Sequence, residues 1–162
     1  MSTPAETIQL PFVDEHITVV NAGAADVWRA LVEIMGSAFS GDAATAYARA
    51  VGSDDVGDSG PRPLAVGSTI PGFHVTSAIP ERELVLVGRH KFSTYELTFR
   101  LDADSPGGTR LRAETRAEFP GVAGRAYRLL VIGSRFHAIA VRRLLAGIRR
   151  GAERYVPSPP AT

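Results

Sequence analysis

The feature that most constrains the fold is a series of short strand-like segments followed by one long segment without proline. Turns rich in proline, glycine and serine separate the strand-like segments, and such short turns join neighbouring strands as antiparallel hairpins. The five segments are Val66–Ile70, Phe73–Ile79, Leu84–Phe92, Tyr95–Leu101 and Thr109–Phe119. Val122 to Tyr155 contains no proline and predicts one helix of roughly 45–50 Å. This helix is the only predicted element able to cover the apolar face of the sheet.

The N-terminal third adds a strand and two helices. Val13 to Val20 alternates as a strand does, and the run AADVWRALVEIM places Val27 and Leu31 at helical spacing, with Gly36 as its stop. A second helix is predicted from about Asp42 to Val51. Residues 52–65 are rich in glycine, serine, aspartate and proline, which predicts a flexible loop. Together these segments predict an α+β domain over residues 13–154, in which a curved antiparallel sheet wraps around the long C-terminal helix. Residues 1–12 and 155–162 are expected to be tails.

Composition narrows the class of function. The chain has 162 residues, which fits one domain. Its formal net charge is +1, so no overall positive electrostatic potential favours a nucleic acid partner. It contains no cysteine, which excludes disulfides and thiolate catalysis and is consistent with a cytoplasmic location. The N-terminus lacks the pattern of a secretory signal, and no apolar run is long enough to predict a membrane span.

The order of elements and three local runs resemble the helix-grip superfamily. The runs are GRHKFSTYELTFRL (88–101), GGTRLRAETRAEFPG (107–121) and GRAYRLLVIGSRFHAI (124–139). The superfamily, also called SRPBCC, includes START-type lipid-transfer, Bet v 1-type and polyketide cyclase-like proteins, and the three runs look like one of its uncharacterised bacterial subgroups. The resemblance covers Val13 to Arg150. It implies a hydrophobic cavity between the sheet and the terminal helix that binds a small apolar or amphipathic molecule. It also leaves open a cyclase-like or dehydratase-like acid–base enzyme that uses the same cavity.

Candidate cavity residues come from the inward strand positions and from the predicted sheet-facing stripe of the helix. The inward face of the strand before Phe92 carries His90, which lies near Tyr95 of the next strand, and these two are the weak candidates for acid–base chemistry. The alternative is a half-exposed, hydrogen-bonded His90 without a role, and the same alternative applies to His137. The candidate set is Leu86, His90, Tyr95, Leu97, Phe99, Thr115, Tyr127, Val131, Ser134, His137, Ala138 and Val141.

Other polar residues have simpler explanations. Arg110, Arg112, Glu114, Arg116 and Glu118 alternate with apolar residues on the last strand, a pattern typical of solvated cross-strand pairs. The sequence has no short histidine spacing for a metal ligand set and no phosphate-binding or nucleophile-elbow motif. We therefore expect neither a metal nor a cofactor.

The predicted C-terminal helix has two further patterns. Arg128, Arg135, Arg142 and Arg149 repeat every seven residues, which indicates a solvated flank or, alternatively, a contact with phosphate or anionic lipid headgroups. Leu129, Ile132, Phe136 and Ile139 form a second apolar face opposite the core stripe. A helix that is apolar on both sides is buried on both sides. Either the N-terminal segment IQLPF or a second subunit is expected to cover this face, and we favour a homo-oligomer.

The stretch PGVAGRAY at residues 120–127 joins the last strand to this helix. Its two glycines stand three apart without a lysine, so it matches neither the dinucleotide-binding nor the P-loop pattern. We expect Pro120 to end the strand, Gly121 to permit the turn, and Gly124 to let the first helical turn approach the sheet. An anion at this helix N-terminus, assisted by Arg125, is the alternative.

Overall fold

A computed structural model describes residues 9–155 of the chain. Its elements in chain order are β1 Phe12–Val20, α1 Ala24–Ala38, α2 Asp42–Ala50, β2 Thr69–Ile70, β3 Phe73–Ile79, β4 Glu83–His90, β5 Ser93–Ala103, β6 Thr109–Glu118, α3 Gly121–Arg128, a π-helical turn Leu129–Gly133, and α4 Phe136–Arg154. The α+β class and the predicted order of elements are confirmed. α1 runs through Gly36 to Ala38, so the predicted stop at that glycine was wrong.

The six strands form one antiparallel sheet in the order β1-β6-β5-β4-β3-β2. The register shifts between Phe12 and Asp14 and between Val75 and Ser77, and such bulges bend a strand and increase its twist. Leu84, Leu86 and Phe99 on one face of the sheet are fully buried. The predicted inward faces of β4, β5 and β6 are therefore correct.

α1 and the C-terminal half of α4 cover this concave face at one end of the sheet. Val27, Leu31 and Met35 of α1 pack in one core with Leu145 and Ile148 of α4. The helices approach closely where Gly151 of α4 faces Ala30, since a Cβ on Gly151 would lie 3.3 Å from that of Ala30. Each fully buried leucine or isoleucine contributes about 1.5–3 kcal/mol relative to exposure. This end of the molecule is the packed core.

The opposite face of the sheet carries the predicted row of charged residues. Arg100 bonds Glu114 at 3.0 Å and lies 3.3 Å from Glu83, and Arg112 lies 2.8 Å from Asp102. These partly exposed pairs are each worth at most about 1 kcal/mol. The prediction of solvated cross-strand pairing is confirmed, and Glu114 and Arg116 are part of that network.

The C-terminal helical region is interrupted, so the prediction of one continuous helix from Val122 to Tyr155 was wrong. The π-helical turn follows α3, and Arg135 then adopts a left-handed conformation with φ of 61° before α4 begins. Gly133 and Ser134 precede the break, and both residue types favour a helix less than alanine does. The Ser134 hydroxyl also donates to the carbonyl of Leu130, a bond that bends a helix.

The two glycines where β6 joins α3 allow a turn and a close approach of the backbone, as predicted. Gly121 has φ of +69°, a conformation that glycine adopts without steric cost. A Cβ on Gly124 would lie 2.7 Å from the carbonyl carbon of Phe119. The first turn of α3 therefore lies against the sheet end only because Gly124 has no side chain.

The segment of residues 52–65 contains no helix or regular strand, but it is anchored to the sheet. Asp54 donates its backbone N–H to Arg89, and Gly72 donates to Asp55. Ser59 pairs with Thr69 in an isolated bridge, and Leu64 is buried. These bonds anchor the segment to the sheet, and the flexibility that its composition predicts stays a prediction. The strand predicted over Val66–Ile70 is reduced to its last two residues, Thr69 and Ile70. The backbone before Thr69 turns and does not pair as a regular strand.

Candidate functional site

A cavity of about 530 Å³ lies between the sheet, at the end away from the packed core, and the segment from α3 to the start of α4. Its volume falls within the range of small-molecule sites. Of the predicted residues it is lined by His90, Tyr95, Leu97, Thr115, Tyr127, Val131 and His137. The strand alternation and the order of elements thus bring seven of the candidates to one cavity.

Five candidates lie elsewhere. Leu86, Phe99 and Val141 belong to the packed core, because the C-terminal half of α4 lies directly on the sheet there and leaves no space. Ser134 is exposed and Ala138 half-buried, and neither lines the cavity. Their placement as cavity residues was wrong because the break at Arg135 rotates the helical stripe on which the prediction depended.

The cavity wall is mainly aromatic, and most of its rings were missed. Phe39 at the end of α1 meets Phe73 edge-on at 5.4 Å between centroids, and Phe73 meets Tyr95 at 5.1 Å. The missed lining residues include Phe39, Tyr47, Phe73, Ala117, Phe119, Ile132, Phe136 and Ala140. Sequence periodicity assigns side chains to the two faces of a strand. It does not show that α2 and the C-terminal end of α1 pack against this end of the sheet. The one available signal was the aromatic residue next to each turn, as in Phe39, Phe73, Phe92 and Phe119.

The position of Tyr95 depends on a glycine in the neighbouring strand. Gly88 pairs directly with Tyr95, and a Cβ on Gly88 would lie 2.3 Å from Cε2 of the tyrosine ring. The ring therefore lies across β4, and its hydroxyl donates to the carbonyl of Gly72 at 2.6 Å. Burial raises the pKa of Tyr95 to about 12. Tyr95 is thus an uncharged side chain in the cavity wall.

His90 is one of the buried polar groups of this wall, with Ser93 and Thr115, and has 8% of its surface exposed. Its Nδ1 accepts a hydrogen bond from the backbone N–H of Phe92 at 3.1 Å, which places the proton of the neutral ring on Nε2. The ring stands edge-on to Tyr127 at 4.9 Å. No described residue accepts a hydrogen bond from Nε2, and burial lowers the pKa of His90. His90 therefore offers one N–H donor to whatever fills the cavity.

Tyr127 of α3 contacts both Phe92, next to β4, and Tyr47 of α2. Its ring stacks on Phe92 at 5.5 Å between centroids, and its hydroxyl is hydrogen-bonded to that of Tyr47 in α2. Burial and this contact raise the pKa of Tyr127. The tyrosine pair joins α2 to α3 at the cavity lining.

A second polar group lies under the start of α4. His137 Nε2 is 3.0 Å from the Thr115 hydroxyl and 3.4 Å from Oδ1 of Asp14, while His16 bonds the other oxygen of Asp14 at 3.1 Å. Asp14 and His16 were not predicted as site residues, and neither lines the cavity. Although two histidines flank Asp14, residues 9–155 contain no set of three His, Asp or Glu side chains able to hold a metal ion.

The second apolar face predicted on the helix is divided in the structure. Ile132 and Phe136 line the cavity, whereas Leu129 and Ile139 are exposed. Each pair has one residue before and one after the break at Arg135, so the four residues do not lie on one helix and the expectation of one continuous outer face was wrong. Ile8 of the segment IQLPF lies outside the described residues. The rest of that segment runs along β6, where Leu10 and Pro11 accept hydrogen bonds from Arg116 and Ala117.

Comparison with known proteins supports the architecture. No protein-family model and no curated protein matches the chain. Among solved structures, the protein TTHA0849 from Thermus thermophilus is 18% identical over 91% of this chain and 100% of its own, with a TM-score of 0.55. The Aha1 dimer from Colwellia psychrerythraea is 17% identical over 86% and 94%, with a TM-score of 0.54.

A third similar structure is Ara h 8.0201, 11% identical over 88% of this chain and 95% of its own, with a TM-score of 0.50. Among the described helices none is long and apolar enough to cross a membrane. At these identities the comparisons bear on the arrangement of the chain and not on its activity. The curved antiparallel sheet with a helical C-terminal region across it is the helix-grip fold.

Proposed function

We propose that this protein binds a small, planar apolar molecule that carries a hydrogen-bond acceptor, in the cavity between the sheet and the helical segment. The observation that carries the proposal is an aromatic cavity of about 530 Å³ into which one buried histidine presents an unused N–H. Aromatic rings favour flat ligands through stacked and edge-on contacts. A ligand oxygen that accepts from this N–H gains a hydrogen bond in mainly apolar surroundings.

The polar groups define where such a ligand is held. His90 Nε2 suits a carbonyl or phenolic oxygen at one wall, and the His137–Thr115 pair under α4 suits a second polar group. Tyr95 and Leu97 supply apolar surface between them. The ligand is therefore amphipathic, with most of its surface apolar. We place this function in the cytoplasm, in accordance with a chain that has no cysteine.

An acid–base enzyme that uses His90 with Tyr95 is less well supported. The Tyr95 hydroxyl donates to Gly72 at 2.6 Å, so it is not available to a substrate. Its pKa, raised to about 12, also removes it from proton transfer near neutral pH. Binding without chemistry accounts for the same residues.

The test begins with native mass spectrometry of the purified protein, which detects a co-purifying small molecule and the subunit count together. A fluorescent dye that brightens in apolar surroundings then serves as the probe. The variant Ala140→Phe places a ring at the cavity lining and is expected to abolish dye binding. Ala103→Phe, at the exposed far end of β5, is the matched control and should bind dye normally. Equal dye binding by both variants would contradict the proposal.

A further inference from the structure

The charges of this chain are strongly segregated. Residues 120–155 contain eight of its 18 lysines and arginines but only one of its 17 aspartates and glutamates, Glu153. A net charge of +1 therefore conceals a basic helical region and an acidic remainder. The local potential of a surface, not the net charge, decides which partner it attracts.

Most of these arginines are unneutralised. Arg149 bonds Glu153 at 3.1 Å, and the other seven have no acidic partner within 4.0 Å among residues 9–155. On the sheet, by contrast, Arg100, Arg112 and Arg116 all pair with carboxylates. The helical region thus presents guanidinium groups that remain available to an external anion.

Exposed apolar side chains stand between the arginines. Leu129 and Leu130 in the π-helical turn are 74% and 70% exposed, and Phe136 is 68% exposed. On α4, Ile139, Arg143 and Arg150 lie opposite the buried Val141, Leu145 and Ile148. We call this set of exposed side chains, Arg125, Arg128, Arg142 and Arg143 with Leu129, Leu130 and Ile139, the basic apolar patch.

We propose that the basic apolar patch docks this protein on an anionic lipid surface. Guanidinium groups bind phosphate and carboxylate headgroups, and leucine and isoleucine side chains enter the boundary with the acyl chains. A nucleic acid would satisfy the arginines but would give the exposed aliphatic groups no apolar surface to enter. The patch requires no ligand in the cavity, so the proposal stands apart from the proposed binding function.

Vesicle flotation tests the proposal with the full chain. Phosphatidylcholine vesicles with added phosphatidylserine should carry the protein to the top of the gradient, and phosphatidylcholine alone should not. Added salt should weaken the binding, because the headgroup attraction is screened. The variant Arg142→Gln/Arg143→Gln should bind roughly 10- to 30-fold more weakly, since each arginine near such a surface is worth about one factor of five.

The matched control is Arg82→Gln/Arg89→Gln, which removes two exposed arginines from the turn before β4 and from its outward side. It should bind vesicles as the unmodified chain does. Leu129→Ser/Leu130→Ser should weaken binding without changing the charge. Three outcomes would overturn the proposal: no binding to anionic vesicles, equal loss in the control, or equally tight binding to duplex DNA through the same arginines. So would light scattering that shows a dimer dissociated by Leu129→Ser/Leu130→Ser. Dye binding in the cavity, measured in the same samples, reports separately on the proposed function.

Discussion

Single residues determine the shape of the cavity wall, and Gly88 is the clearest example. A Cβ at this position would lie 2.1 Å from the carbonyl oxygen of Gly72 and 2.3 Å from the Tyr95 ring. Gly88→Ala should therefore displace the ring, break its hydrogen bond to Gly72 and lower the free energy of unfolding by roughly 1–3 kcal/mol. Urea denaturation measures the change.

Gly36→Ala provides the control for this substitution. Gly36 lies inside α1, and a Cβ at this position would meet no atom within 4 Å, so alanine should raise the free energy of unfolding by about 1 kcal/mol. If Gly88→Ala raised the free energy of unfolding as Gly36→Ala does, the close packing of Tyr95 on Gly88 would be refuted.

His90 should make stability depend on pH in a known direction. Burial lowers its pKa below the ordinary 6.5, and a proton on Nδ1 would also break the bond from Phe92. As the pH falls below about 6.5, the unfolded chain takes up a proton that folded His90 does not, so stability is lost.

The Cε1 proton resonance of His90, followed by NMR, should titrate below pH 6.5, and His90→Asn should flatten the loss of stability on acidification. A resonance that titrates at or above the ordinary value would mean that the ring is solvated.

For single residues, the sequence indicated which face of the sheet a side chain lies on, but it did not indicate which residues that side chain contacts. Alternation correctly turned His90 and Tyr95 inward, since a strand has only two faces. It gave no sign that the Tyr95 hydroxyl is held by Gly72, a residue 23 positions away. Phe39 and Tyr47 were missed because helix docking, not a local pattern, brings them to the sheet.

Among the elements, the interrupted C-terminal region shows how a correct periodicity can still mislead. The hydrophobic spacing of Val141, Leu145 and Ile148 predicted the buried face of α4, and all three are buried. The same spacing was extended back through Ser134, where the backbone leaves the helix. A spacing rule holds only while the backbone keeps one helical geometry.

The left-handed Arg135 gives this break a testable signature. A non-glycine residue at φ of 61° costs about 1–2 kcal/mol relative to the right-handed region. Arg135→Gly removes that cost and adds chain entropy to the unfolded state, so stability should be unchanged or up to about 1 kcal/mol higher. Arg142→Gly, inside α4, should lower it by about 1 kcal/mol. Thermal unfolding of the two variants separates them, and an equal loss in both would indicate a continuous helix.

Over the whole molecule, burial divides the chain into a packed end and an open end. Between residues 141 and 152 the helix buries Val141, Leu145, Ile148, Gly151 and Ala152. Between residues 121 and 135 only Gly124 is buried, because this segment covers a cavity and not side chains. Segments with few buried apolar contacts open at lower free energy than the core does. The cavity cover is therefore the part of the described chain that a ligand can most readily stabilise.

Hydrogen exchange followed by mass spectrometry tests this division. Peptides from residues 121–135 should exchange much faster than peptides from 141–152, although both are helical, because opening the first segment exposes little apolar surface. Saturation with the fluorescent dye should slow exchange in 121–135 and leave 141–152 unchanged, since only the former borders the cavity through Tyr127, Val131 and Ile132. Ala140→Phe should itself slow exchange there by filling the space that a ligand would occupy. Equal protection of both segments without dye would mean that the helical region packs as one unit, and the cavity would then have no flexible cover.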